Sequence, residues 1–296
     1  MEVIEGFDFS IKDSAVSLGK FDGIHLGHRL LLKKIRQKEG LVPTVFTFSM
    51  GSMASRLYTQ QEKNQVLEGM GIAREVIFPF NDVTKHMLPE QFIEEILMKC
   101  MDAKYICVGE DFRFGRNREG TVGTLAKYQG SCGYELEIVE KLRDGGDIIG
   151  STLIRSELEQ GNLGRVNKLL GAPYFICGKV LHGNALGRRM GLPTANLIPP
   201  QGKKLPPNGV YATTVEYDGH TWFGVTDIGK KPTVGKFDIG VETYIMDFEQ
   251  EIYGQELLVR FHQFLRPEQR FGSVEELHGQ IERDREAAYA YLSGHS

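Results

Sequence analysis

The chain has 296 residues, of which 41% are hydrophobic and 25% charged, a composition typical of globular proteins that excludes a disordered or fibrous chain. Because domains mostly run to about 100–200 residues, this length predicts two compact units. The net charge of −4 gives no basic field for displacing counterions from phosphates, so we expect no nucleic-acid partner.

The N-terminus and the cysteines indicate the compartment. The first residues, MEVIEGFDFSIKDS, lack the basic start and apolar run of a signal peptide, and no stretch approaches about 20 consecutive apolar residues. The 4 cysteines have neither metal-ligand nor disulfide spacing, which is typical of reduced thiols. We therefore expect a cytoplasmic protein without a membrane segment.

The first half of the chain alternates short apolar runs with amphipathic segments, which predicts an α/β layer of parallel strands. Between the first two strands, Leu30, Leu31, Leu32 and Ile35 lie among lysines and arginines, as on a helix that packs against a sheet. Further helical segments are predicted at 89–101 and 151–170. The predicted strands are 15–18, 44–48, 75–80 and 104–108.

A glycine- and histidine-rich loop follows the first predicted strand and precedes the first helix, Gly19-Lys20-Phe21-Asp22-Gly23-Ile24-His25-Leu26-Gly27-His28. Glycines let the backbone approach phosphate, and a helix N-terminus offers free N–H groups and a partial positive charge. A single histidine at a strand end is usually structural, and a glycine-rich loop alone is weak evidence. Two histidines spaced by glycine at this junction nevertheless favour a nucleotide-triphosphate site.

Two further segments narrow this interpretation. Taken alone, Val108-Gly109-Glu110-Asp111-Phe112-Arg113-Phe114-Gly115 fits a turn with core aromatics, and Ser151-Thr152-Leu153-Ile154-Arg155 fits a helix N-cap. The loop with His25 and His28 resembles the His-x-Gly-His loop of the nucleotidyltransferase superfamily. In this order, all three segments resemble the adenylyltransferase module of bacterial bifunctional riboflavin kinase/FAD synthetases.

The resemblance implies that the phosphate of FMN attacks the α-phosphorus of ATP, giving FAD and pyrophosphate, with Mg²⁺ on the phosphates. It also implies the site. His25 and His28 would be catalytic residues that hold the ATP phosphates. The implied nucleotide or phosphate contacts are Gly19, Phe21, Asp22, Gly23, Gly27, Ser151, Thr152 and Arg155, and the implied flavin contacts are Gly109, Asp111, Phe112 and Phe114.

This half departs from the family pattern in two places. The loop after strand 44–48 usually carries a His-Pro pair, whereas this chain has Ser49-Met50-Gly51-Ser52-Met53. The helix-opening motif usually begins with two serines, and Gly150 occupies the first position. The resemblance implies that both departures remove side chains able to contact phosphate.

From Gly171-Ala172-Pro173 onward, longer β-rich runs with turns between them predict a small antiparallel barrel. We therefore place the domains at 1–171 and 172–296. Strands 210–217 and 222–228 are joined by Asp218-Gly219, a favoured two-residue hairpin turn, and strands 240–248 and 257–265 follow. Ser273 and Glu276 form a capping-box signature for a terminal helix, whose apolar side carries Val274, Leu277, Ile281, Ala288 and Leu292.

The second half carries a second glycine-rich motif, Gly183-Asn184-Ala185-Leu186-Gly187-Arg188-Arg189-Met190-Gly191-Leu192-Pro193-Thr194-Ala195-Asn196. A flexible loop before a strand is the structural alternative. The oxygens of Thr194 and Asn196 are hard ligands that suit Mg²⁺. The full motif resembles the ATP-binding signature of riboflavin kinases, which implies nucleotide contacts at Gly183, Gly187, Arg188 and Gly191 and metal ligation by Thr194 and Asn196.

Three later segments support the same resemblance, Pro206-Pro207-Asn208-Gly209-Val210-Tyr211, Val241-Glu242-Thr243-Tyr244 and Phe264-Leu265-Arg266-Pro267-Glu268. The resemblance implies that Glu242 is the general base for the ribityl 5′-hydroxyl of riboflavin and that Arg266 lies near the flavin. A carboxylate on a largely apolar strand face also needs a partner or a task, although a partnered structural role for Glu242 stays open. Asp227 and Lys231 stand where the family usually has Asn and Arg.

The resemblance implies a Rossmann-like nucleotidyltransferase domain followed by a six-stranded Greek-key barrel with a C-terminal helix. It implies ATP, riboflavin, FMN and FAD as substrates and products, and allows weak self-association. Three alternatives stay open: an enzyme that retains one activity, a flavin-binding regulator without turnover, and an adenylyltransferase for another phosphate ester. The last leaves residues 173–292 unexplained.

Overall fold

The computed structural model describes residues 1–49, 55–181, 194–229 and 239–294. Their contacts divide the chain into two compact units, Met1–Ser151 and Thr152–Ser296. The expected boundary at 171/172 lies further along the chain, after two helices that this grouping assigns to the second unit. It stays a prediction.

The first unit is built on a six-stranded sheet, in which all five strand pairs are parallel. Its strands are β1 Glu2–Glu5, β2 Ser14–Leu18, β3 Val42–Ser49, β4 Arg74–Pro79, β5 Ala103–Gly109 and β8 Glu135–Val139. The predicted strands are all present within two residues of their expected ends. The spatial order is β1-β4-β3-β2-β5-β8, which confirms the Rossmann-like α/β layer.

In its described residues, the unit also contains short hairpins, four α-helices, a π-helix and two 3-10 turns. The hairpin strands are β6 Arg113–Phe114, β7 Gly120–Thr121, β9 Arg143–Asp144 and β10 Asp147–Ile148. The helices are α1 Leu26–Arg36, α2 Gln60–Gly69, α3 Pro89–Gln91 and α4 Val122–Cys132. Two 3-10 turns lie at Thr84–His86 and Arg116–Arg118.

Strand β2 is buried on both faces of the sheet along its whole length. Side chains alternate across a strand, so Val16 and Leu18 belong to one core cluster and Ala15 to the other. Strand β5 divides in the same way, with Ile106 on one side and Tyr105 on the other. Helices therefore cover both faces, as a parallel sheet requires.

The predicted helix at 89–101 begins as expected at Pro89 but continues from Phe92 to Cys100 as a π-helix. The wider turn is visible at its end, where the Met101 amide donates to the Ile96 carbonyl at 2.9 Å, five residues back. Its expected apolar stripe is buried, namely Phe92, Ile93, Ile96 and Leu97. Apolar spacing alone does not separate an α-helix from a π-helix over so short a segment.

The predicted helical segment 151–170 is two helices, α5 Ser151–Glu159 and α6 Leu163–Leu170. Gly161, with a φ of +78°, breaks the segment because the left-handed region cannot continue an α-helix. The second unit thus begins with two short helices before the barrel.

The second unit contains a closed barrel of six strands. These are β11 Tyr174–Leu181, β12 Thr194–Leu197, β13 Gly209–Tyr217, β14 His220–Gly229, β15 Gly240–Ile245 and β16 Glu256–Arg266, in the order β11-β12-β15-β14-β13-β16. Strand β16 lies beside β13, the first strand of the β13-β14-β15 meander, which is the Greek-key arrangement expected. Asp218 and Gly219 have φ values of +47° and +74° between β13 and β14, which confirms the hairpin turn.

The terminal helix α7, Val274–Ser293, packs its buried Ala288 and Leu292 against the outer side of the barrel. The Ser273 hydroxyl accepts from the Glu276 amide at 3.1 Å, as the capping signature predicts. The other half of the capping box is displaced, because the Glu276 carboxylate accepts from the Gly272 amide instead. None of the helices in the described ranges combines the length and apolar character needed to cross a membrane.

A charged pair fixes α7 to the barrel. Arg266, at the end of β16, donates from Nε and Nη2 to the Asp284 carboxylate at 2.9 and 2.7 Å. The two side chains are only 18% and 6% exposed. Gln280 donates to the same carboxylate, so the buried charge is well satisfied.

We expect D284A to lower the free energy of unfolding by about 3 kcal/mol or more, because it leaves the Arg266 guanidinium buried without its partner. E95A, which removes an exposed i,i+4 pair with Lys99, should change it by less than about 0.5 kcal/mol. Urea unfolding of both variants checks this. Equal small changes would show that the buried pair does not stabilise the helix.

Candidate active sites

The loops after β2 and β5 lie where the order of the parallel sheet reverses. The connections from β2 lead through β3 and β4 to one side of the sheet, whereas β5 and β8 lie on the other side. Open α/β sheets bind ligands outside the carboxyl ends of their strands at such a reversal. The topology therefore brings the histidine loop and the segment after Gly109 to one edge.

The histidine loop has an unusual backbone. Phe21 and Ile24 have φ values of +50° and +40°, although neither is a glycine, and Gly23 between them has a φ of +85°. Left-handed conformations of non-glycine residues cost on the order of 1 kcal/mol or more and cluster at functional sites. Both side chains are fully buried, and this burial holds the backbone in place.

His25 and His28 are stacked, with ring centroids 3.7 Å apart and an interplanar angle of 26°. His25 is the N-cap of α1, and its Nδ1 accepts from the His28 amide at 3.4 Å. A Cβ at Gly27 would lie 3.2 Å from the His25 ring, so a larger residue there would press on it. Phe21 also packs against His28, with ring centroids 5.0 Å apart.

Both imidazoles are held neutral. Burial lowers the pKa of His25 to about 4, and burial together with the adjacent His25 lowers the pKa of His28 well below its usual value. Because Nδ1 of His25 accepts a hydrogen bond, its neutral ring carries the proton on Nε2. Among the described residues, nothing forms a hydrogen bond with the buried Nδ1 of His28.

Asp22 joins three segments of the first unit. Its Oδ1 accepts from the backbone amides of Leu57 and Tyr58 at 2.9 and 3.3 Å, and its backbone carbonyl accepts from the Ser151 hydroxyl at 2.7 Å. Sequence reasoning missed Leu57 and Tyr58, because a contact through backbone amides leaves no residue-type signature. The Asp22 carboxylate therefore organises the loop, and direct nucleotide contact by Asp22 stays a prediction.

The helix-opening motif lies at the start of α5. The Ser151 hydroxyl bonds to Asp22, the Thr152 side chain is exposed, and Arg155 is half-buried. Phosphate contact by these residues, and by Gly19, stays a prediction. A Cβ added at Gly150 would meet no described atom within 4 Å, so the missing serine of the family pattern is not excluded by packing.

The segment after β5 places aromatic rings beside the reversal point. Phe112 stacks on Phe114 with centroids 5.6 Å apart and an interplanar angle of 14°. Phe114 is 3% exposed and belongs to the core, whereas Phe112 is partly exposed. Asp111 is 63% exposed and pairs with Lys141 at 2.8 Å. Phe112 and Asp111 are thus accessible to a ligand, while Phe114 supports Phe112 from beneath.

The candidate kinase residues lie on the outer face of the barrel, on neighbouring strands. Glu242 is directly opposite Asn196 of β12 on one side and Asp227 of β14 on the other. The Thr194 hydroxyl donates to Glu242 Oε1 at 2.5 Å. The barrel interior holds the alternate residues, including Thr243, whose hydroxyl bonds to Thr226 at 2.9 Å.

These residues form a set of hard oxygen atoms: a hydroxyl, an amide and two carboxylates. Such donors suit a divalent cation. No group of three His, Cys, Asp or Glu side chains with metal-binding spacing occurs in the described part of the chain. The assignment of Thr194 and Asn196 as metal ligands stays a prediction.

Arg266 uses most of its donors within the protein. Two nitrogens bond to Asp284, and Nη1 donates to the Pro267 carbonyl at 3.1 Å. Sequence reasoning missed Asp284, since nothing in the pattern of α7 distinguishes it from the exposed charged residues around it. Flavin contact by Arg266 stays a prediction.

Several predicted residues lie outside the described ranges. These are Gly183, Gly187, Arg188 and Gly191 of the second glycine-rich motif, residues 50–53 of the first departure, and Lys231.

The comparisons with known proteins agree with both halves. A family model for FAD synthetase matches residues 8–153, and a family model for riboflavin kinase matches residues 170–292. A solved structure from Streptococcus pneumoniae, described as a macrolide-efflux protein, has a TM-score of 0.86 and 30% identity. The match covers 97% of this chain and 99% of that one.

Curated relatives match over nearly their whole length. The bifunctional riboflavin kinase/FMN adenylyltransferase of Listeria monocytogenes is 33% identical, and that of Bacillus subtilis is 34% identical. Each of these two matches covers 95% of this chain and 93% of the relative. Similarity of this extent across both halves shows that the chain belongs to the family of bifunctional riboflavin kinase/FMN adenylyltransferases.

Proposed function

We propose that this chain makes FAD from riboflavin in two ATP-dependent steps. The barrel unit phosphorylates riboflavin to FMN, and the parallel-sheet unit transfers AMP from ATP to FMN with release of pyrophosphate. The observation that carries the proposal is that one chain of this family contains both candidate sites. One site has the stacked rings of His25 and His28. The other is the row of neighbouring residues on the outer face of the barrel, in which Asn196 and Asp227 lie on either side of Glu242.

In adenylyl transfer, the histidines bind and orient the phosphates. Nε2 of His25 carries the proton of the neutral ring, so it donates to a phosphate oxygen. The N-terminus of α1 adds backbone N–H groups and a partial positive charge. Catalysis then depends on holding the FMN phosphate in line with the α-phosphorus and on stabilising the charge of the leaving pyrophosphate.

Phe112 supplies an accessible aromatic face for the isoalloxazine ring of FMN, because it stacks on the buried Phe114 and is itself only partly covered. Offset stacking on such a face is favourable, and a ring fixed from beneath loses little freedom on binding. Asp111 borders the same segment.

In the kinase step, Glu242 accepts the proton of the riboflavin 5′-hydroxyl as that oxygen attacks the γ-phosphorus of ATP, and ADP leaves. The Thr194 hydroxyl fixes the orientation of the carboxylate. When bound, Mg²⁺ neutralises the charge on the phosphates, and Thr194 and Asn196 are the residues we expect to hold it. A general base of this kind contributes about 10²–10⁴ in rate.

The alternatives explain less. A flavin-binding regulator needs neither a base nor paired imidazoles beside a phosphate loop. Macrolide efflux, after which the similar solved structure is named, leaves the histidine pair and the Glu242 row without a task. We further propose that the enzyme works in the cytoplasm on small-molecule substrates, without nucleic-acid or membrane partners, and that it can self-associate weakly.

We expect H28A to lower the rate of FMN conversion to FAD by about a hundredfold or more, because a phosphate donor is lost. Phosphorylation of riboflavin by the same protein should stay within about twofold, since it occurs at the other site. A chromatographic time course with Mg-ATP measures both steps. H86A, at an exposed histidine of the same unit, is the matched control.

We expect the reverse pattern for E242Q, which preserves the shape of the side chain but cannot accept the proton. Riboflavin phosphorylation should fall by about 10²–10⁴, with FMN adenylylation unchanged. The same time course measures it. Retention of riboflavin phosphorylation in E242Q would contradict the assignment of Glu242 as the base.

The neutral histidines also predict a pH dependence of stability. The pKa of His25 is about 4 in the folded protein and near 6.5 when unfolded, so the unfolded chain binds more protons in between. The free energy of unfolding is therefore unaffected by protonation of His25 above pH 6.5 and decreases as the pH falls toward 4. The slope is at most about 1.4 kcal/mol per pH unit for one proton.

H25N should flatten this dependence, since asparagine keeps an N-cap acceptor but does not titrate. Urea unfolding of the full chain at several pH values between 7.5 and 4.5 provides the free energies. Parallel pH profiles for the parent protein and H25N would show that the fold does not hold His25 neutral.

A further inference from the structure

We propose that Glu268 is a positioning residue of the riboflavin kinase site, whose carboxylate fixes the end of β14 and thereby the Asp227–Glu242 pair. The inference rests on the proposed role of Glu242 in the kinase step. It concerns a residue two positions beyond the end of β16 that does not itself lie in the row of Thr194, Asn196 and Glu242.

Among the described residues, the Glu268 carboxylate lies against the amide of Asn208 and against Gly229. Its Oε2 accepts from Nδ2 of Asn208 at 3.0 Å. It also lies directly against Gly229, so closely that a Cβ added to that glycine would overlap the carboxylate. Gly229 therefore leaves the space that Glu268 occupies, and any other residue there would displace it.

This contact joins three sequence motifs that are far apart in the chain. Asn208 precedes β13, Gly229 is the last residue of β14, and Glu268 follows β16. Next to it, the start of β13 approaches the end of β16 so closely that a Cβ at Gly209 would lie 2.7 Å from the Arg266 carbonyl oxygen. Three strand ends thus meet at one carboxylate.

One side of this junction is firmly anchored. Arg266, two residues before Glu268, is held to α7 by its bonds to the buried Asp284. The junction therefore transmits the position of the anchored β16 end to the end of β14, rather than the reverse.

The other side of the junction, the end of β14, lies close to the proposed kinase residue Glu242. Gly229 is opposite Gly240, and Asp227, two residues earlier on β14, is directly opposite Glu242. A shift of the β14 end would change the separation and orientation of these two carboxylates. Misplacement of a catalytic group by about 1 Å can cost on the order of a hundredfold in rate.

If Glu268 had a purely structural role, its removal would have only a small effect on folding. Glu268 is exposed, and one hydrogen bond between an exposed carboxylate and an amide contributes about 1 kcal/mol or less to folding. Loss of such a bond should affect neither activity. A positioning role predicts a selective loss in the kinase step.

The test compares E268A with E249A, which removes another exposed carboxylate of the same unit, in the connection between β15 and β16. We expect E268A to lower kcat for riboflavin phosphorylation by about tenfold or more, with KM for ATP within about twofold. FMN adenylylation by the same protein and the thermal midpoint should stay unchanged. E249A should leave both activities unchanged.

A charge-swap pair tests the Asn208 contact itself. N208D places two carboxylates together and should lower kcat for the kinase step, whereas N208D/E268Q restores a hydrogen bond of reversed direction and should recover most of it. Equal loss of both activities in E268A, full kinase activity in E268A, or no recovery in the double variant would each overturn the proposal.

E242Q, assayed in parallel, separates failure of the proposed base from failure of the positioning role. If E242Q retains kinase activity, the proposed base is wrong and the positioning role fails with it. If E242Q is inactive as a kinase while E268A is fully active, the base stands and only the positioning role is overturned.

Discussion

The complete burial of β2 on both faces of its sheet constrains the first unit more than any other feature. A strand covered by helices on both sides has no exposed side chains, so polar chemistry can begin only where the strand ends. In this chain the loop that follows the strand carries His25 and His28, and their own burial keeps both imidazoles neutral. The hydrophobic core thus sets both the place and the charge state of the site.

In the barrel, the residues of the core and the candidate catalytic residues lie on opposite faces of the same strands. Alternation along each strand sends Thr226 and Thr243 into the interior, where their hydroxyls bond to each other, and leaves Asp227 and Glu242 outside. Because neighbouring strands are in register, the outward residues of three strands form one row. The barrel therefore needs no loop to bring its carboxylates together, only correct strand ends.

Much of this could be predicted from the sequence, because the strands, the Asp218-Gly219 turn and the histidine loop are local signals. The π-helix after Pro89 could not be predicted, since the spacing of its apolar residues is also that of an α-helix. The hydrogen bonds of Asp22 and Arg266 could not be predicted either, because their partners are distant in sequence. Asp22 accepts from the Leu57 and Tyr58 amides, and Arg266 donates to Asp284. The sequence pattern identifies candidate functional residues, whereas their hydrogen-bond partners depend on how the chain packs in three dimensions.

The open space at Gly150 bears on one departure from the family pattern, the glycine at the first position of the helix-opening motif. No described neighbour occupies the space beside Gly150, so the single substitution G150S would place a hydroxyl at the start of α5 without a clash. The side chain at this position can therefore change without displacing any described neighbour, and a serine here would test the predicted phosphate contact directly.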